Sequence, residues 1–333
     1  MTDSNRFEEP ARRLAGIDAS VVPLGLGTWA WGDRKTWGMG GYDSNLTEST
    51  IRKAWDRTLQ NGPTLIDTAE VYGSGESERI IGRLLAATPH ARSQIVLATK
   101  WWPAPWRLDV TRSVRSSLEA SLTRLGVDHV DLYQVHGPIS LRGAGAIADA
   151  FAAVVDAGLA RAVGASNYSQ RETQAIIREL ASRGLPLSTN QVEMSLLRRR
   201  PESSGLLDLC RAAGVTVLAY SPLGQGRLTG KYSAASPPPK GRGFSAHPMA
   251  EVDRVVAVLR EVGEHHDRPP AAVALRWLID KGAVPIPGAK NDAQAAANAQ
   301  ALGWTLPADA LARLDSAALH GRRTLGNRLW QHD

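Results

Sequence analysis

Short runs of apolar residues alternate along most of the chain with longer segments in which apolar residues recur every three or four positions. The short runs are typical of strands buried on both faces, and the longer spacing is typical of amphipathic helices. Eight short runs occur, at VPLGLGTW (22–29), TLID (64–67), IVLATK (95–100), VDLYQVH (130–136), ARAVGASN (160–167), STNQVEM (188–194), VTVLAYS (215–221) and AVPIPG (283–288).

Helical spacing occupies most of the segments between these runs. It covers residues 47–62, 76–88, 110–126, 145–158, 169–184, 201–214 and 250–266. Alternating strands and helices indicate parallel β/α units, and eight units over roughly 300 residues fit a (β/α)8 TIM barrel of the α/β class. Barrels of this size form one domain, so we expect a single domain over residues 1–333.

A doubly wound nucleotide-binding sheet is the main competing architecture. That fold requires a G-x-G-x-x-G turn directly after its first strand. Here the first strand ends GLGTWAWGD, so the glycines precede the tryptophan and the third glycine is missing. The segment GSGESERIIG (73–82) has glycines at a helix start, but a tight turn with Glu76 or Ser77 near the helix N-terminus explains it equally well.

Composition excludes several classes of function. The formal charge of +6 comes mainly from scattered arginines, and no basic stripe is interleaved with aromatics, so we expect no nucleic-acid binding. Neither a long apolar run nor an apolar leader occurs, so we expect no membrane span and no secretion. The single cysteine, Cys210, occupies a helical core position and fits a reducing cytoplasm. No metal-ligand cluster is visible, and the oligomeric state stays open.

Four chemically distinct side chains come at or just after three neighbouring predicted strands: Asp67, Tyr72, Lys100 and His136. A phenol with a pKa near ~10 is a poor proton donor at neutral pH, but a nearby ammonium lowers that pKa and a carboxylate holds the ammonium charged. Taken singly, each residue has a structural explanation, such as a turn-capping aspartate or a hydrogen-bonded histidine. Together they predict a proton donor beside an imidazole, as the reduction of a carbonyl requires.

Two segments near the predicted mouth of the barrel are irregular. Residues 233–248 are rich in Pro, Gly and Ser, and form either a mobile cover over a ligand or a surface insertion. Residues 320–333 form either a free tail or a segment folded back over the mouth. Tryptophans are also concentrated beside Lys100, in TKWWPAPW. We expect Trp29 and Trp101 to form walls of a substrate pocket, although packing at the rim is the alternative.

The chain resembles the aldo-keto reductases in several independent motifs. These are DTAEVYGSGESERIIG (67–82), LATK (97–100), YQVHGP (133–138), GASNYS (164–169), NQVEMSLL (190–197), AYSPLGQGRLTGKY (219–232) and IPGAKNDAQAAANAQALGW (286–304). The resemblance extends from about residue 14 to 319, and is closer to the bacterial and plastid branch than to the mammalian branches.

The resemblance implies a function for the four residues. Tyr72 would be the general acid that protonates the carbonyl oxygen as hydride arrives, with Lys100 and Asp67 as the pair that tunes it, and His136 would orient the carbonyl. The implied activity is NADPH-dependent reduction of aldehydes or ketones without a metal. The alternatives are the same site used as an alcohol or sugar dehydrogenase, or a cofactor-binding regulatory subunit.

The resemblance also implies a set of cofactor-binding residues, which reach from the nicotinamide to the adenine. They are Ser166, Asn167 and Gln191 at the carboxamide, Tyr220 stacked on the nicotinamide ring, Ser221, Leu223, Gly226 and Arg227 at the pyrophosphate, Lys290 at the 2′-phosphate, Gln294 and Asn298 at the adenine, and Gly27, Thr28 and Gly288 along the cofactor. Lys290 favours NADPH over NADH. The chain departs from the usual pattern at Gln294, where many members have arginine, and at Ala297, where an acidic residue is usual.

Overall fold

The computed structural model describes residues 10–32, 46–239, 244–322 and 329–332. Within these residues the strands form two sheets, a small antiparallel pair and an eight-stranded parallel sheet. The pair consists of β1 (Arg12–Arg13) and β2 (Ser20–Val21). The parallel strands are β3 (Leu26–Gly27), β4 (Thr64–Asp67), β5 (Ile95–Trp101), β6 (Val130–Val135), β7 (Ala160–Ser166), β8 (Leu187–Glu193), β9 (Thr216–Tyr220) and β10 (Val284–Pro285).

The eight parallel strands lie in sequence order and close into a barrel. Each strand pairs with the next one along the chain. The first and last strands meet through a parallel bridge between Gly27 and Gly288 and a 2.9 Å hydrogen bond from the Gly25 N–H to the Pro285 carbonyl. The approach is close, because a Cβ on Gly27 would lie 2.8 Å from the Ile286 carbonyl oxygen. The predicted (β/α)8 barrel is confirmed.

Helices cover the outside of the barrel. They are α1 (Glu48–Leu59), α2 (Glu76–Ala87), α3 (Val110–Leu125), α4 (Ala144–Asp156), α5 (Gln170–Ala181), α6 (Arg200–Ser203), α7 (Leu206–Ala212), α8 (Met249–His266), α9 (Pro270–Asp280), α10 (Asp292–Ala299) and α11 (Ala308–Ala317). All seven segments with helical spacing are helical. The spacing did not predict α9, α10 and α11; in α9 the residues from Ala271 to Ile279 are all buried, so no polar face marks the period.

The lower end of the barrel is closed by the β1–β2 hairpin, which the sequence pattern did not predict. Leu14 and Ile17, between the two short strands, join an apolar cluster with inward-facing residues such as Leu65, Val96 and Ala162. The described residues place the open end of the barrel at the carboxyl ends of its strands, where polar side chains replace the apolar cluster.

Two features are absent from the described residues, a membrane-spanning helix and a metal-binding cluster. In the described part of the chain, no helix combines the length and the apolar character needed to cross a membrane. Residues 10–32, 46–239, 244–322 and 329–332 also contain no group of three or more His, Cys, Asp or Glu side chains placed to hold a metal ion. Cys210 is buried in α7, where burial raises the pKa of its thiol to about 12.

Candidate active site

The four residues singled out from the sequence meet at the open end of the barrel. Asp67 ends β4, Lys100 lies one residue before the end of β5, and His136 follows β6. Tyr72 begins a short 3₁₀ turn, Tyr72–Gly75, in which Gly73 and Ser74 take positive φ values. That tight turn brings the phenol back over the barrel, so that Tyr72 and His136, 64 positions apart in sequence, share one site at its mouth.

Tyr72 and His136 face each other across this mouth as an edge-to-face pair, with their ring centroids 5.6 Å apart. The side chain of His136 is buried, and that of Tyr72 is partly buried. The phenol, the imidazole and the lysine ammonium therefore surround one small volume at the carboxyl ends of β4, β5 and β6.

Lys100 connects the acid to the phenol. Its Nζ donates to Asp67 Oδ2 at 2.6 Å and to the Thr68 carbonyl at 2.8 Å, and lies 3.3 Å from Tyr72 Oη. Although burial works against the charge, the carboxylate of Asp67 and then the phenol raise the pKa of Lys100 above its usual value. Lys100 is therefore a fully buried ammonium that remains charged at neutral pH.

The pKa of Tyr72 differs from the simplest expectation. The ammonium of Lys100 lowers this pKa, as the sequence reasoning supposed, but burial is the larger effect and the net pKa is raised above its usual value. The phenol is consequently protonated at neutral pH and able to donate, with a cation in place to stabilise the anion once the proton has left.

The second oxygen of Asp67 is held by two amides that the sequence reasoning did not assign to it. Asp67 Oδ1 accepts from Gln191 Nε2 at 2.8 Å and from Gln134 Nε2 at 3.2 Å. Thr189 Oγ1 donates to Gln134 Oε1 at 3.2 Å, which orients that amide with its NH2 toward the carboxylate. Strand alternation could have indicated that Gln134 belongs to the site, because Gln134 lies two positions before His136 and therefore faces the same side of the sheet.

His136 is enclosed by aromatic rings. Besides Tyr72, it makes edge-to-face contacts with Trp102 at 5.6 Å and Trp330 at 5.4 Å between centroids. Its Nδ1 is buried and has no hydrogen-bond partner within the described residues. Burial, and then the ammonium of Lys100, lower the pKa of His136 well below its usual value, so the imidazole is neutral at pH 7.

Trp101 is not a wall of the pocket, contrary to our expectation. Its side chain has no exposed surface, belongs to the core between the barrel and the helices, and donates from Nε1 to Ser113 Oγ of α3 at 3.0 Å. The physical reason is strand alternation: Lys100 faces the barrel interior, so its neighbour must face outward. The neighbouring Trp102 lies at the mouth instead and stacks on Trp330 at 4.8 Å.

Trp29 lies at the mouth, on the loop after β3. It is partly exposed and packs edge-to-face on Phe244, whose centroid is 5.7 Å away. Phe244 also contacts Tyr220 at 5.8 Å. The described part of the irregular segment, which includes residues 244–248, therefore reaches the mouth, and residues 240–243 of that segment lie outside the described part of the chain.

The residues predicted at the carboxamide form one hydrogen-bonded cluster at the ends of β7, β8 and β9. Ser166 Oγ donates to the Gln191 carbonyl at 2.9 Å, Asn167 Nδ2 donates to Ser166 Oγ at 3.2 Å, and Tyr220 Oη donates to Asn167 Oδ1 at 2.9 Å. Asn167 has a φ of +60°, a conformation that asparagine tolerates better than most residues. Amide donors and acceptors beside an aromatic ring fit a nicotinamide carboxamide.

The segment after β9 has an irregular backbone with several residues in the left-handed region. Ser221, Gln225 and Gly226 all have positive φ values, of 49°, 54° and 90°. Leu223 is the residue before the short turn Gly224–Thr229. Arg227 is buried, and its Nη1 donates to the carbonyls of Gly224 and Phe244, each at 3.1 Å. Arg227 thus ties the irregular segment to this loop.

The remaining predicted cofactor residues lie beside the last strand. Lys290 and Gln294 are joined by a 2.9 Å hydrogen bond from the Lys290 N–H to Gln294 Oε1, and Asn298 Nδ2 donates to the Gly288 carbonyl at 3.4 Å. Thr28 is buried, and its Oγ1 donates to the Asp67 carbonyl at 2.9 Å. Gly27 and Gly288 form the bridge that closes the barrel.

Of the segment 320–333, residues 330–332 contact the mouth, while residues 323–328 and 333 lie outside the described part of the chain. Trp330 stacks on Trp102, and Gln331 is buried with its Nε2 donating to Tyr220 Oη at 2.8 Å. The His332 N–H donates to the Asn167 carbonyl at 3.3 Å, and its ring pairs with Glu172 at 2.7 Å. No sequence motif marked Trp330 as a residue of the site.

Comparison with known proteins agrees with this geometry. The family model described as the Aldo/keto reductase family matches residues 23–319. The chain belongs to the aldo/keto reductase family. The resemblance read from the sequence motifs is thereby confirmed, and this aldo/keto reductase is an NAD(P)H-dependent oxidoreductase that acts on carbonyl compounds.

Three similar proteins illustrate the range of the family. A chloroplastic pyridoxal reductase from Arabidopsis thaliana is 33% identical, over 94% of this aldo/keto reductase and 87% of the relative. The solved glycerol dehydrogenase from Gluconobacter oxydans is 30% identical with a TM-score of 0.78, over 95% and 98% of the two chains. An aldo/keto reductase from Klebsiella pneumoniae, solved with NADP and acetate, is 26% identical with a TM-score of 0.71, over 95% and 97%.

Proposed function

We propose that this protein reduces small aldehydes or ketones to alcohols with NADPH, with Tyr72 as the general acid. The observation that carries the proposal is the position of Lys100 Nζ, which lies 2.6 Å from Asp67 Oδ2 and 3.3 Å from Tyr72 Oη. The raised pKa of Tyr72 keeps the phenol protonated, which is the form that reduction requires.

The three side chains make proton transfer favourable without a net charge in the resting site. Before transfer, the Asp67 carboxylate and the Lys100 ammonium cancel. When the carbonyl oxygen becomes negative, it takes the proton of Tyr72, and the phenolate left behind faces the Lys100 ammonium at hydrogen-bond distance. Because the ammonium is already in place and shielded from water, no reorganisation is needed when charge develops.

His136 would orient the carbonyl. Its lowered pKa keeps the imidazole neutral, so it adds no positive charge beside Lys100. A neutral imidazole carries one N–H, which can donate to the carbonyl oxygen from the side opposite Tyr72. The ring of Trp102, in edge-to-face contact with the imidazole, fixes its plane. Together, Tyr72 and His136 would hold the oxygen by two donors.

The residues present fit a nicotinamide cofactor. The cluster of Ser166, Asn167 and Gln191 offers amide and hydroxyl groups to a carboxamide, and the partly exposed Tyr220 offers a ring for stacking. The positive-φ loop that includes Gly226 fits a pyrophosphate, and Lys290 would pair with a 2′-phosphate. When bound, the cofactor supplies the hydride that reduces the carbonyl carbon.

The substrate side favours compounds with an apolar skeleton. Trp29, Trp102, Phe244 and Trp330 surround the mouth, so an aldehyde or ketone carrying an aromatic or aliphatic group would bury that group among rings. The similarity to a glycerol dehydrogenase makes alcohol oxidation at the same site a second candidate. That direction needs a phenolate as the base, and the raised pKa of Tyr72 works against it.

The test is a Tyr72→Phe variant assayed by NADPH oxidation with a panel of aldehydes. Loss of the proton donor should lower kcat by about 10²–10⁴, the usual worth of a general acid, whereas cofactor affinity measured by fluorescence quenching should stay within about twofold. A variant that retains more than about half of the wild-type kcat would exclude Tyr72 as the acid. Wild-type protein that binds NADPH but reduces no aldehyde would favour the regulatory alternative.

A further inference from the structure

Two segments that cover the mouth converge on one buried carboxylate. Glu193, the last residue of β8, has 1% of its surface exposed. Its Oε1 accepts from Ser245 Oγ at 2.6 Å, and its Oε2 accepts a short hydrogen bond from Gln331 Nε2. Arg198 Nε lies 3.8 Å from Oε2 and balances the charge. The carboxylate thus joins the irregular segment to the end of the chain.

Each of the two partners stands next to an aromatic residue of the mouth. Ser245 follows Phe244, which packs against Trp29 at 5.7 Å. Gln331 follows Trp330, which stacks on Trp102 at 4.8 Å. Glu193 holds Ser245 with one oxygen and Gln331 with the other. It therefore fixes the separation between the rings of Phe244 and Trp330, which lie on different sides of the mouth.

The same partner reaches the residues that fit the nicotinamide. Gln331 Nε2 also donates to Tyr220 Oη at 2.8 Å, and Tyr220 donates in turn to Asn167 Oδ1 at 2.9 Å. Gln331 therefore contacts residues that would bind the cofactor, in addition to the contacts that Trp330 makes at the rim.

We propose that Glu193 is a positioning residue that sets the size selectivity of the site, by holding Phe244 and Trp330 at a fixed separation. The proposal rests on the proposed function for the identity of the reaction. Its physical basis is that an ionised carboxylate offers acceptors on both oxygens, and here each oxygen receives a donor. A neutral amide of the same shape has one acceptor atom, so it keeps both partners only if its NH2 group donates to the Ser245 hydroxyl, and neither hydrogen bond then has a charged acceptor.

Glu193→Gln is the main test variant. With its oxygen toward Ser245, its NH2 group faces the NH2 group of Gln331; with its oxygen toward Gln331, it lacks the charge that strengthens that hydrogen bond. In both orientations the attachment of the end of the chain is weakened. Gln331→Leu should have the same effect. In the double variant Glu193→Gln/Gln331→Glu, donor and acceptor change places, and the attachment should return.

Selectivity is read as the ratio of kcat/KM for a two-ring aromatic aldehyde to kcat/KM for propanal. Loss of the Trp330 contact should lower this ratio by about 2- to 12-fold in Glu193→Gln and in Gln331→Leu. The value for propanal should stay within about twofold, since so small a substrate does not reach the ring. The exchanged double variant should recover most of the wild-type ratio.

A second measurement is independent of any activity. Trimming of the C-terminus by a carboxypeptidase, followed by mass spectrometry, should be faster in Glu193→Gln and Gln331→Leu than in the wild type, and slow again in the exchanged variant. The matched control is Glu78→Gln: Glu78 is also a buried carboxylate with a hydroxyl and an arginine as partners, Thr99 and Arg124, but it lies in the helix layer. Its trimming and its substrate ratio should equal those of the wild type.

The outcomes separate this inference from the proposed function. Unchanged trimming and an unchanged ratio in Glu193→Gln would overturn the inference, as would failure of the exchanged variant to restore either readout. If the wild type reduces no aldehyde, the proposed function fails, yet the trimming rates still decide whether Glu193 holds the end of the chain.

Discussion

Removing the charge of Lys100 tests the buried pair at the centre of the site. Lys100 has no exposed surface and Asp67 has 2%, so Lys100→Met leaves a carboxylate without its cation in a region that water does not reach. Breaking such a pair costs about 3–5 kcal/mol of unfolding free energy. Because Asp67 Oδ1 keeps its hydrogen bonds from Gln134 and Gln191, we expect a value near the lower end, about 3 kcal/mol.

The double variant Asp67→Asn/Lys100→Met supplies the comparison. Both charges are then absent, and the remaining cost is about 1–3 kcal/mol for one unpaired amide group. Asp67→Asn alone leaves a buried ammonium and should cost about 3–5 kcal/mol. The three variants therefore predict a coupling energy of at least about 3 kcal/mol, measured by urea unfolding at pH 7 with tryptophan fluorescence.

The result that would refute this reasoning is additivity. If the double variant lost as much stability as the two single variants together, Asp67 and Lys100 would not stabilise each other in the folded state. The two variants that contain Lys100→Met should lose most of their aldehyde reduction, because the phenolate of Tyr72 would lack its cation. A Lys100→Met variant of unchanged activity would show that the ammonium has no part in proton transfer.

Three further predictions concern the cofactor, the tryptophans and pH. Lys290→Ala should raise the Kd for NADPH by roughly 10- to 100-fold and barely change that for NADH, in fluorescence titrations; equal losses for both would make the lysine structural. Trp101→Ala should cost about 3–5 kcal/mol of stability, whereas Trp330→Ala should change stability little and lower kcat/KM for aromatic aldehydes only; the reverse pattern would contradict the placement of the two rings. The pKa of His136 is lowered in the folded protein, so between that lowered pKa and pH 6.5 the unfolded chain binds a proton that the folded protein does not. The contribution of the neutral imidazole to the free energy of unfolding is therefore complete above pH 6.5 and is lost as pH falls below that value. His136→Asn should reduce this loss in unfolding measurements between about pH 7 and pH 5, and an unchanged pH profile would refute the assignment.

Much of the fold could be predicted because the pattern of apolar and polar residues reflects which side chains are buried. A parallel strand buried on both faces gives an apolar run, and a helix packed on one side gives the three-to-four spacing. The β1–β2 hairpin and α9 were missed for the same reason. The hairpin strands have two residues each, too few to show a period, and α9 is buried on all sides.

The site could be predicted as far as strand ends could be recognised. Asp67, Lys100 and His136 were found because polar residues at the ends of apolar strands are conspicuous. Trp101 was misplaced because its proximity in sequence to Lys100 was given more weight than strand alternation, which turns it outward. The position of Trp330 could not be predicted, since it depends on how the chain returns to the mouth from α11, and no local pattern encodes that path.

The network around Asp67 has a consequence for how the barrel must assemble. The hydrogen bonds to this carboxylate come from β5, β6 and β8, and its contact with Gln191 spans 124 positions of the chain. A fragment that ended before β8 would enclose a charged group with one of its donors missing, and a fragment that began after β4 would lack the carboxylate itself. Neither half of the barrel can therefore complete the reactive centre alone, and chemical competence arises only when distant parts of the chain have joined.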